Sequence, residues 1–474
     1  MKLILKNNGG YIVMSALVFS AIFALLFSGL TGFVLVQNKV QRAKENSDRS
    51  MQIAEAGLDY YKWFLAHFPD DLQDGTGEAG PYEHEYSDPE GGIIGSFSLD
   101  ISGSTQCGDV TSVDIESTGW TEEDPTRTRK VYGKYARPSV AEYSYILNSN
   151  VWAGSSREIK GVYHSNGGIR MDGENQSLVR SAVADWFCTS SFGCSPNQTV
   201  DGVFGDGDGS DLWNFPVVPI DFTGITLNLA SMKSLAQSNG SYFGDSGDYG
   251  YHLVFKNDRS VDIFTVTNLR GVWGYSSENG WQVEYNIITG ESFLQNYELL
   301  SDCGLVFLED KVWVEGEVSG KVTMASANLI SPTIDTDVII SGNINYTSTE
   351  GIDGLTVIAE NSVLIPLNSP DNMEMRGIFI AQNGHFGRNH YYDNYLPSQY
   401  RDYVRRNSLE INGTIVSNGR VGTSWGCGYC IDGYTGYASR ENSYDRNLMT
   451  DPPPFTPFVS DEFKFVEWRD EGSY

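Results

Sequence analysis

Apolar and polar positions change their period twice along this chain. From Ile12 to Val36 the sequence is free of charged residues, behind a polar leader that carries Lys2, Lys6 and the pair Gly9-Gly10. As a helix this run reaches about 37 Å, enough to cross a hydrocarbon core of about 30 Å with some tilt. It is too long for the apolar region of a cleaved secretory signal, which spans about 7–15 residues. Past Val36 the pattern becomes one-sided. Met51, Ala54, Leu58, Tyr61, Leu65 and Phe68 recur at helical spacing, with Ile53, Gly57, Tyr60 and Phe64 widening the stripe. Pro69 is the first proline of the chain. One helix is therefore predicted over 11–68, with 12–36 as its membrane part, after a leader 1–10.

Downstream the period falls to two. Residues 69–95 read as a charged, Gly-rich connector, and alternation begins at Ser96–Ile101, resuming at Val110–Ser117 and Thr128–Tyr135. These strands predict a small antiparallel sheet region, 69–140, packed on the helix stripe. Beyond it a unit repeats: Glu158-Ile159-Lys160-Gly161, Glu374-Met375-Arg376-Gly377 and Glu410-Ile411-Asn412-Gly413, each followed by a second strand and an Asn-Gly turn. Related units surround Gly316 and Gly342. Short strands with a glycine at each corner suit the rungs of a β-solenoid, expected over 141–175 and 304–426. A β-sandwich is the competing arrangement of the same strands. The interval 176–303 reads as an α/β insertion with an amphipathic helix near Leu227–Ser238 and a hairpin from Tyr251–Phe255 to Val261–Val266. The tail 427–474, with its Pro452-Pro453-Pro454 run, reads as a cap. The fold class is α+β, mostly β.

Composition then narrows the partners. Sixty-one acidic residues against 32 basic ones give a formal charge of −29, which repels phosphate backbones and excludes nucleic acid as an expected partner. The six cysteines are even in number, which fits disulfides in an oxidising compartment. Cys188 and Cys194 can close one short loop, and Cys427 and Cys430 a tighter one. A four-thiolate zinc site from those two pairs, or free thiols, are the alternatives.

Candidate chemistry is sparse. In the loop Asp201–Asp211, Asp206, Asp208 and Asp211 alternate with glycines in a way that suits calcium, although Val217 stands where an EF-hand has its Glu. Plain Asp-Gly turns are the other reading, and no further cofactor is implied. The nucleophile elbow, the zinc-protease pair and the phosphate loop are all missing, so no enzyme is expected. One mixed cluster, His385, Arg388, His390, Arg401, Arg405 and Arg406 with Phe386, Tyr391, Tyr392 and Tyr395, could serve polysaccharide cleavage. The preferred reading makes it a polar loop between rungs whose arginines pair acidic groups.

The order of a short basic leader, Gly10, Tyr11 and a retained apolar helix resembles the type IV prepilin signal. Together with Gln52-Ile53-Ala54-Glu55-Ala56-Gly57-Leu58-Asp59, the first 65 or so residues resemble the PilX N-terminal group of type IV pilus accessory proteins. The resemblance implies cleavage between Gly10 and Tyr11 by a prepilin peptidase, and a helix that serves membrane and filament through Ser15, Ala54, Glu55 and Gly57. It further implies other pilin-like subunits and the pilus assembly machinery as partners, a cytoplasmic N-terminus and an extracellular bulk. Charge alone does not orient the helix, because Lys39, Arg42, Lys44 and Arg49 on one side balance Lys2 and Lys6 on the other. One position departs from the family. Ser15 stands where filament pilins carry Glu, and a hydroxyl brings no charge to oppose a neighbour's ammonium in hydrocarbon. The expected function is a non-enzymatic minor pilin-like protein displaying its solenoid for adhesion or surface interaction, with a surface glycan as candidate ligand. The alternative is a membrane-anchored surface solenoid that binds carbohydrate or cleaves polysaccharide.

Overall fold

The computed structural model describes residues 9–222, 229–331, 333–430, 432–460 and 462–473. The leader residues 1–8, and positions 227–228 of the expected 227–238 helix, lie outside them. The chain forms two compact units: one holds the chain up to Ser102, Val113–Tyr135 and the strand from Phe465, the other Gly103–Ser112 and Ala136–Lys464.

In the first unit α1 is a single helix, Gly9–His67, of 59 residues, ending just short of Pro69. Every described side chain from Gly10 to Val36 is exposed. Farther along, Ile53, Ala54, Leu58, Tyr61, Phe64 and Leu65 are buried, while Phe68 at the end of the stripe is not. What they pack on is a five-stranded sheet of β1 (Tyr82–Ser87), β2 (Ile93–Gln106), β3 (Asp109–Thr121), β4 (Asp124–Ala136) and the C-terminal strand Lys464–Ser473, in that order. The 69–95 connector is thus corrected: it contains β1, antiparallel to β2. Tyr82, His84 and Tyr86 do alternate, and His84 lies 4.5 Å from the Tyr60 ring and 5.2 Å from Phe97, but a single Tyr-x-His-x-Tyr is too short to stand out among charges.

Helix and sheet approach at glycines. A Cβ on Gly57 would lie 2.3 Å from Ser117 Oγ and 2.9 Å from the Phe97 ring, and one on Gly119 would lie 2.4 Å from the Ser50 carbonyl oxygen. Hydrogen bonds lock the same contact: Tyr135 donates to the Leu58 carbonyl at 2.9 Å and Ser50 to that of Arg127 at 3.0 Å.

The second unit is built from parallel ladders. One runs through Tyr242–Phe243, Gly304–Leu308, Lys321–Ser326, Gly354–Ala359, Asn372–Ala381 and Arg405–Ser417. It then continues, still parallel, into Tyr143–Leu147, Val162–Ser165, Val179–Ser181 and Trp213–Asn214. A second ladder starts from Tyr251–Phe255, passes Val312–Val318 and Val338–Tyr346, and reaches Tyr434–Ser443, Arg157–Ile159 and Glu174–Asn175. Pairing within both ladders is parallel.

The expected boundaries change accordingly. The blocks 141–175 and 304–426 are one stack, joined where Ile415–Ser417 pairs with Tyr145–Leu147. The interval 176–303 supplies rungs at both ends of that stack, through Val179–Ser181 at one and Tyr251–Phe255 at the other. Among its described residues, the hairpin of Asp185–Cys188 with Gln198–Asp201, the helix α2 (Leu229–Asn239) and the long hairpin of Ser260–Ser276 with Gly280–Glu298 depart from it. Likewise Tyr434–Ser443, expected in the cap, is a rung strand. Sequence periodicity could not show this, because the chain enters its stack in the middle and the interrupting segment crosses from end to end.

Corners differ in their reason for glycine. Gly377 and Gly413 pair in register with φ of +144° each, a conformation that side chains rarely adopt. At Gly161 and Gly342 φ is ordinary and space decides instead, since a Cβ would meet Ser144 Oγ at 2.0 Å or Glu315 Oε2 at 1.9 Å.

Strands of the first ladder are apolar on both faces. One face fills the interior with Val306, Val322, Val357, Phe379, Ile415 and Tyr145. The other carries Phe307, Ala325, Ile358, Ile378, Val416 and Ile146, packed with Leu229, Met232 and Ala236 of α2 and with Leu448. Such two-sided burial explains near-continuous runs such as Gly304-Leu305-Val306-Phe307-Leu308.

His252 joins three strands of this unit. Its Nδ1 lies 2.8 Å from Glu291 on the long hairpin, and its Nε2 lies 3.4 Å from Glu315 on the neighbouring rung strand. Burial pushes the imidazole pKa down, yet the two carboxylates outweigh it and the net shift is upward.

Two predictions follow from this packing. Gly57→Ala gains about 1 kcal/mol of helix propensity but is expected to destabilise the first unit by about 1–3 kcal/mol of overpacking, read as a lower denaturant midpoint. For His252, the raised folded pKa makes its stabilisation complete below about pH 6.5 and progressively lost as pH rises through the folded value. His252→Gln should therefore flatten the fall in unfolding free energy as pH rises above about 6.5 relative to the parent.

Candidate functional site

The N-terminal helix is the first candidate. Gly10 and Tyr11, the predicted processing pair, lie in its first turn and are exposed. Ser15 donates its hydroxyl to the Tyr11 carbonyl at 2.8 Å, one turn back along its own helix. Ala54 and Gly57 are buried against the sheet of their own unit, whereas Glu55 points away and is exposed. Of the helix residues singled out by sequence, Ser15 and Glu55 thus remain accessible to another molecule. The helix is long and apolar enough to cross a membrane and is a candidate membrane anchor.

All six cysteines are paired: Cys107 with Cys303, Cys188 with Cys194, and Cys427 with Cys430. The zinc and free-thiol alternatives are therefore corrected. The Cys107–Cys303 bridge joins positions 196 residues apart, which no spacing could disclose, and it lies wholly within the second unit.

In the acidic loop, as among the described residues generally, no three His, Cys, Asp or Glu side chains gather as a metal site. Backbone contacts explain the glycines instead. The Asp206 amide donates to Asp172 Oδ1 at 3.2 Å and the Gly207 amide to the Met171 carbonyl at 3.0 Å, while Gly205 and Gly209 take positive φ. The loop is a turn folded against the neighbouring rung.

The His/Arg cluster is engaged in bracing. Arg388 is buried and donates to the carbonyls of Leu367 at 2.9 Å and Tyr403 at 2.7 Å, with its guanidinium 5.0 Å from the Tyr391 ring. Arg405 pairs Asp393 at 3.0 Å and Asp432 at 3.2 Å, and Arg406 lies 3.5 Å from Asp371. Arg401 donates to the Leu396 carbonyl at 3.2 Å. His385 faces Glu278 at 3.5 Å, and His390 meets the Thr435 hydroxyl at 2.6 Å.

Sequence inspection missed a cleft of the second unit, a cavity of about 680 Å³. Its floor holds Arg157 and Arg440, neighbours in register on adjacent parallel strands. Trp152, Tyr275, Trp425 and Tyr434 supply aromatic walls, and Arg420 closes one side. Tyr275 and Trp425 meet edge to face at 5.8 Å, and Trp425 is fixed by donating its indole N–H to the Arg388 carbonyl at 2.8 Å. The arginines sit in the unremarkable runs Ser156-Arg157-Glu158 and Ser439-Arg440-Glu441. Their only sequence signal is that each precedes the Glu of a repeat unit, where other units carry Met373 or Leu409.

Comparison with known proteins adds little. No family model and no curated protein matches the chain, so the PilX-group resemblance is carried by its residues alone. Among solved structures, the chain is similar to the competence-associated pilin ComZ from Thermus thermophilus, with a TM-score of 0.33 and 12% identity over 90% of this chain and 97% of that one. A TM-score this low carries no argument.

The cross-links generate a prediction. Unreduced protein should take up no thiol label, and the double substitution Cys107→Ser with Cys303→Ser should lower stability by roughly 2–5 kcal/mol, measured by denaturant unfolding.

Proposed function

We propose that this chain is a non-enzymatic, membrane-anchored minor pilin-like protein that displays a β-solenoid at the cell surface for adhesion or surface interaction. The observation that carries this reading is α1: one uninterrupted helix whose first 27 or so residues from Gly10 are apolar and unpacked, and whose second half is the packing partner of a small sheet. An apolar helix with no partner of its own needs lipid or other apolar helices around it. A continuous helix transmits that anchoring to the folded unit.

The reading has four further parts. A prepilin peptidase cuts between Gly10 and Tyr11. The helix first lies in the membrane with its leader in the cytoplasm and then packs among other pilin-like subunits. The paired cysteines favour an extracellular, oxidising location for the bulk of the chain. Ser15, already bonded to its own backbone, offers no carboxylate for a neighbouring amino terminus, which suits a minor position better than a repeating one.

N-terminal sequencing of the protein purified from cells with active prepilin peptidase tests this. The expected first residue is Tyr11, and Gly10→Val should leave the leader attached. An intact Met1 in the parent protein would count against the pilin-like reading and leave a simple anchor.

A further inference from the structure

The cleft over Arg157 and Arg440 has an electrostatic imbalance that the display reading does not use. These residues occupy inward positions of the second ladder, where the register runs Met373, Leu409, Arg440, Arg157. Two guanidiniums thus stand in a column that is otherwise apolar. They are only 5% and 8% exposed, and among the described residues neither has a carboxylate partner. Arg157 donates to the Tyr145 hydroxyl at 3.1 Å and the Thr423 hydroxyl at 3.3 Å, and Arg440 to the Ser156 hydroxyl, all neutral acceptors. The Nε groups of both are buried without any partner.

The acidic residues beside them do not help. Strand alternation turns Glu158 and Glu441 to the opposite face, where Lys160 pairs both, at 3.3 Å and 2.5 Å. Asp172, the carboxylate at the cleft, is held by Arg170 at 2.8 Å and by the Trp152 indole at 2.7 Å. Arg420, on the side wall, spends its guanidinium on the Ser191 carbonyl at 2.9 Å and lies 4.3 Å from the Phe192 ring. Burial first, and then the charge of Arg157, push the Arg440 pKa down to about 9, which still leaves it charged at neutral pH. A protein of net charge −29 therefore keeps an uncompensated cationic floor. Buried charges without partners cost several kcal/mol each, and a bound anion offsets that cost. Guanidiniums take planar carboxylates by two parallel hydrogen bonds.

We propose that this cleft binds the terminal residue of an acidic glycan, a uronic-acid-type sugar whose carboxylate lies on Arg157 and Arg440 and whose ring lies between Trp152, Trp425 and Tyr434. The cavity volume suits one or two sugar rings. Aromatic faces receive the apolar C–H face of a pyranose, and the serines at the rim, Ser155 and Ser424, face its hydroxyls. A polyphosphate is the poorer fit, because the long-range field of the protein opposes a dense line of charge. One isolated carboxylate meets mostly the local field of the two arginines.

The proposal rests on the cleft and not on the filament reading, so N-terminal processing and sugar binding can fail separately. The test is calorimetric titration of the full chain in detergent with digalacturonate, its dimethyl ester, inorganic phosphate and a short single-stranded oligonucleotide. Digalacturonate is expected to bind at least tenfold more tightly than the ester or phosphate. Arg440→Met places in the column the residue type that Met373 already provides there. It should abolish binding while holding or raising the melting temperature, whereas a purely structural arginine would lower it on removal. Equal affinity for acid and ester, phosphate or oligonucleotide binding as tight as the sugar, or no heat from the folded parent chain would each overturn the proposal.

Discussion

Register along the parallel stack is the constraint on which the second unit depends. Each rung strand satisfies its backbone N–H and C=O groups only through the rungs on either side, so every strand must find both a neighbour and an alignment. Alignment places like beside like: Gly377 beside Gly413, and Glu374 beside Glu410. It also forces the chain's entry point to be filled from far away in sequence, which Tyr145–Leu147 does by pairing with Ile415–Ser417. A strand slipped by one residue would turn its Val and Ile side chains out and its Glu side chains in. The ends and outer face of the stack need cover for the same reason, and α2 with Leu448 supplies it along the first ladder.

That constraint also explains where chemistry can arise. Inward positions of the stack are apolar because nothing else is cheap there, so any ionised group found inside has been tolerated against a desolvation cost. Arg157 and Arg440 are such groups, and they stand where the aromatic walls of the cleft part. The cluster from His385 to Arg406 differs in its partners: Arg405 and Arg406 face aspartates and Arg388 donates to two carbonyls, although Arg388 Nε and Arg406 Nε and Nη2 are themselves buried without a partner.

The first unit obeys a different rule. Its helix is stabilised over one half by a sheet that comes close enough for Gly57 and Gly119 to be needed, and over the other half by nothing among the described residues. The second half is thus folded by its own protein, and the apolar first half is a candidate membrane anchor.

Much of this was legible along the chain. A charge-free run with a long helical stripe determines α1, because helix length and amphipathicity are local properties of side-chain order, and the end at His67 beside Pro69 is equally local. The alternating strands and the repeat around Gly161, Gly377 and Gly413 were visible for the same reason. So were the disulfide loops of Cys188–Cys194 and Cys427–Cys430, since short loops close on themselves. Other features needed the fold. The Cys107–Cys303 bridge joins residues 196 positions apart, and the union of the two rung blocks pairs Ile415 with the still more distant Tyr145. The short strand Tyr82–Ser87 gained its identity from pairing with β2. The cleft depended on register, because only stacking brings Arg157 beside Arg440 and strand alternation alone carries Glu158 and Glu441 away from them. Sequence determined which segments are helix and strand; tertiary structure decided which of them become neighbours, since neighbourhood is set by non-local pairing that no local period encodes.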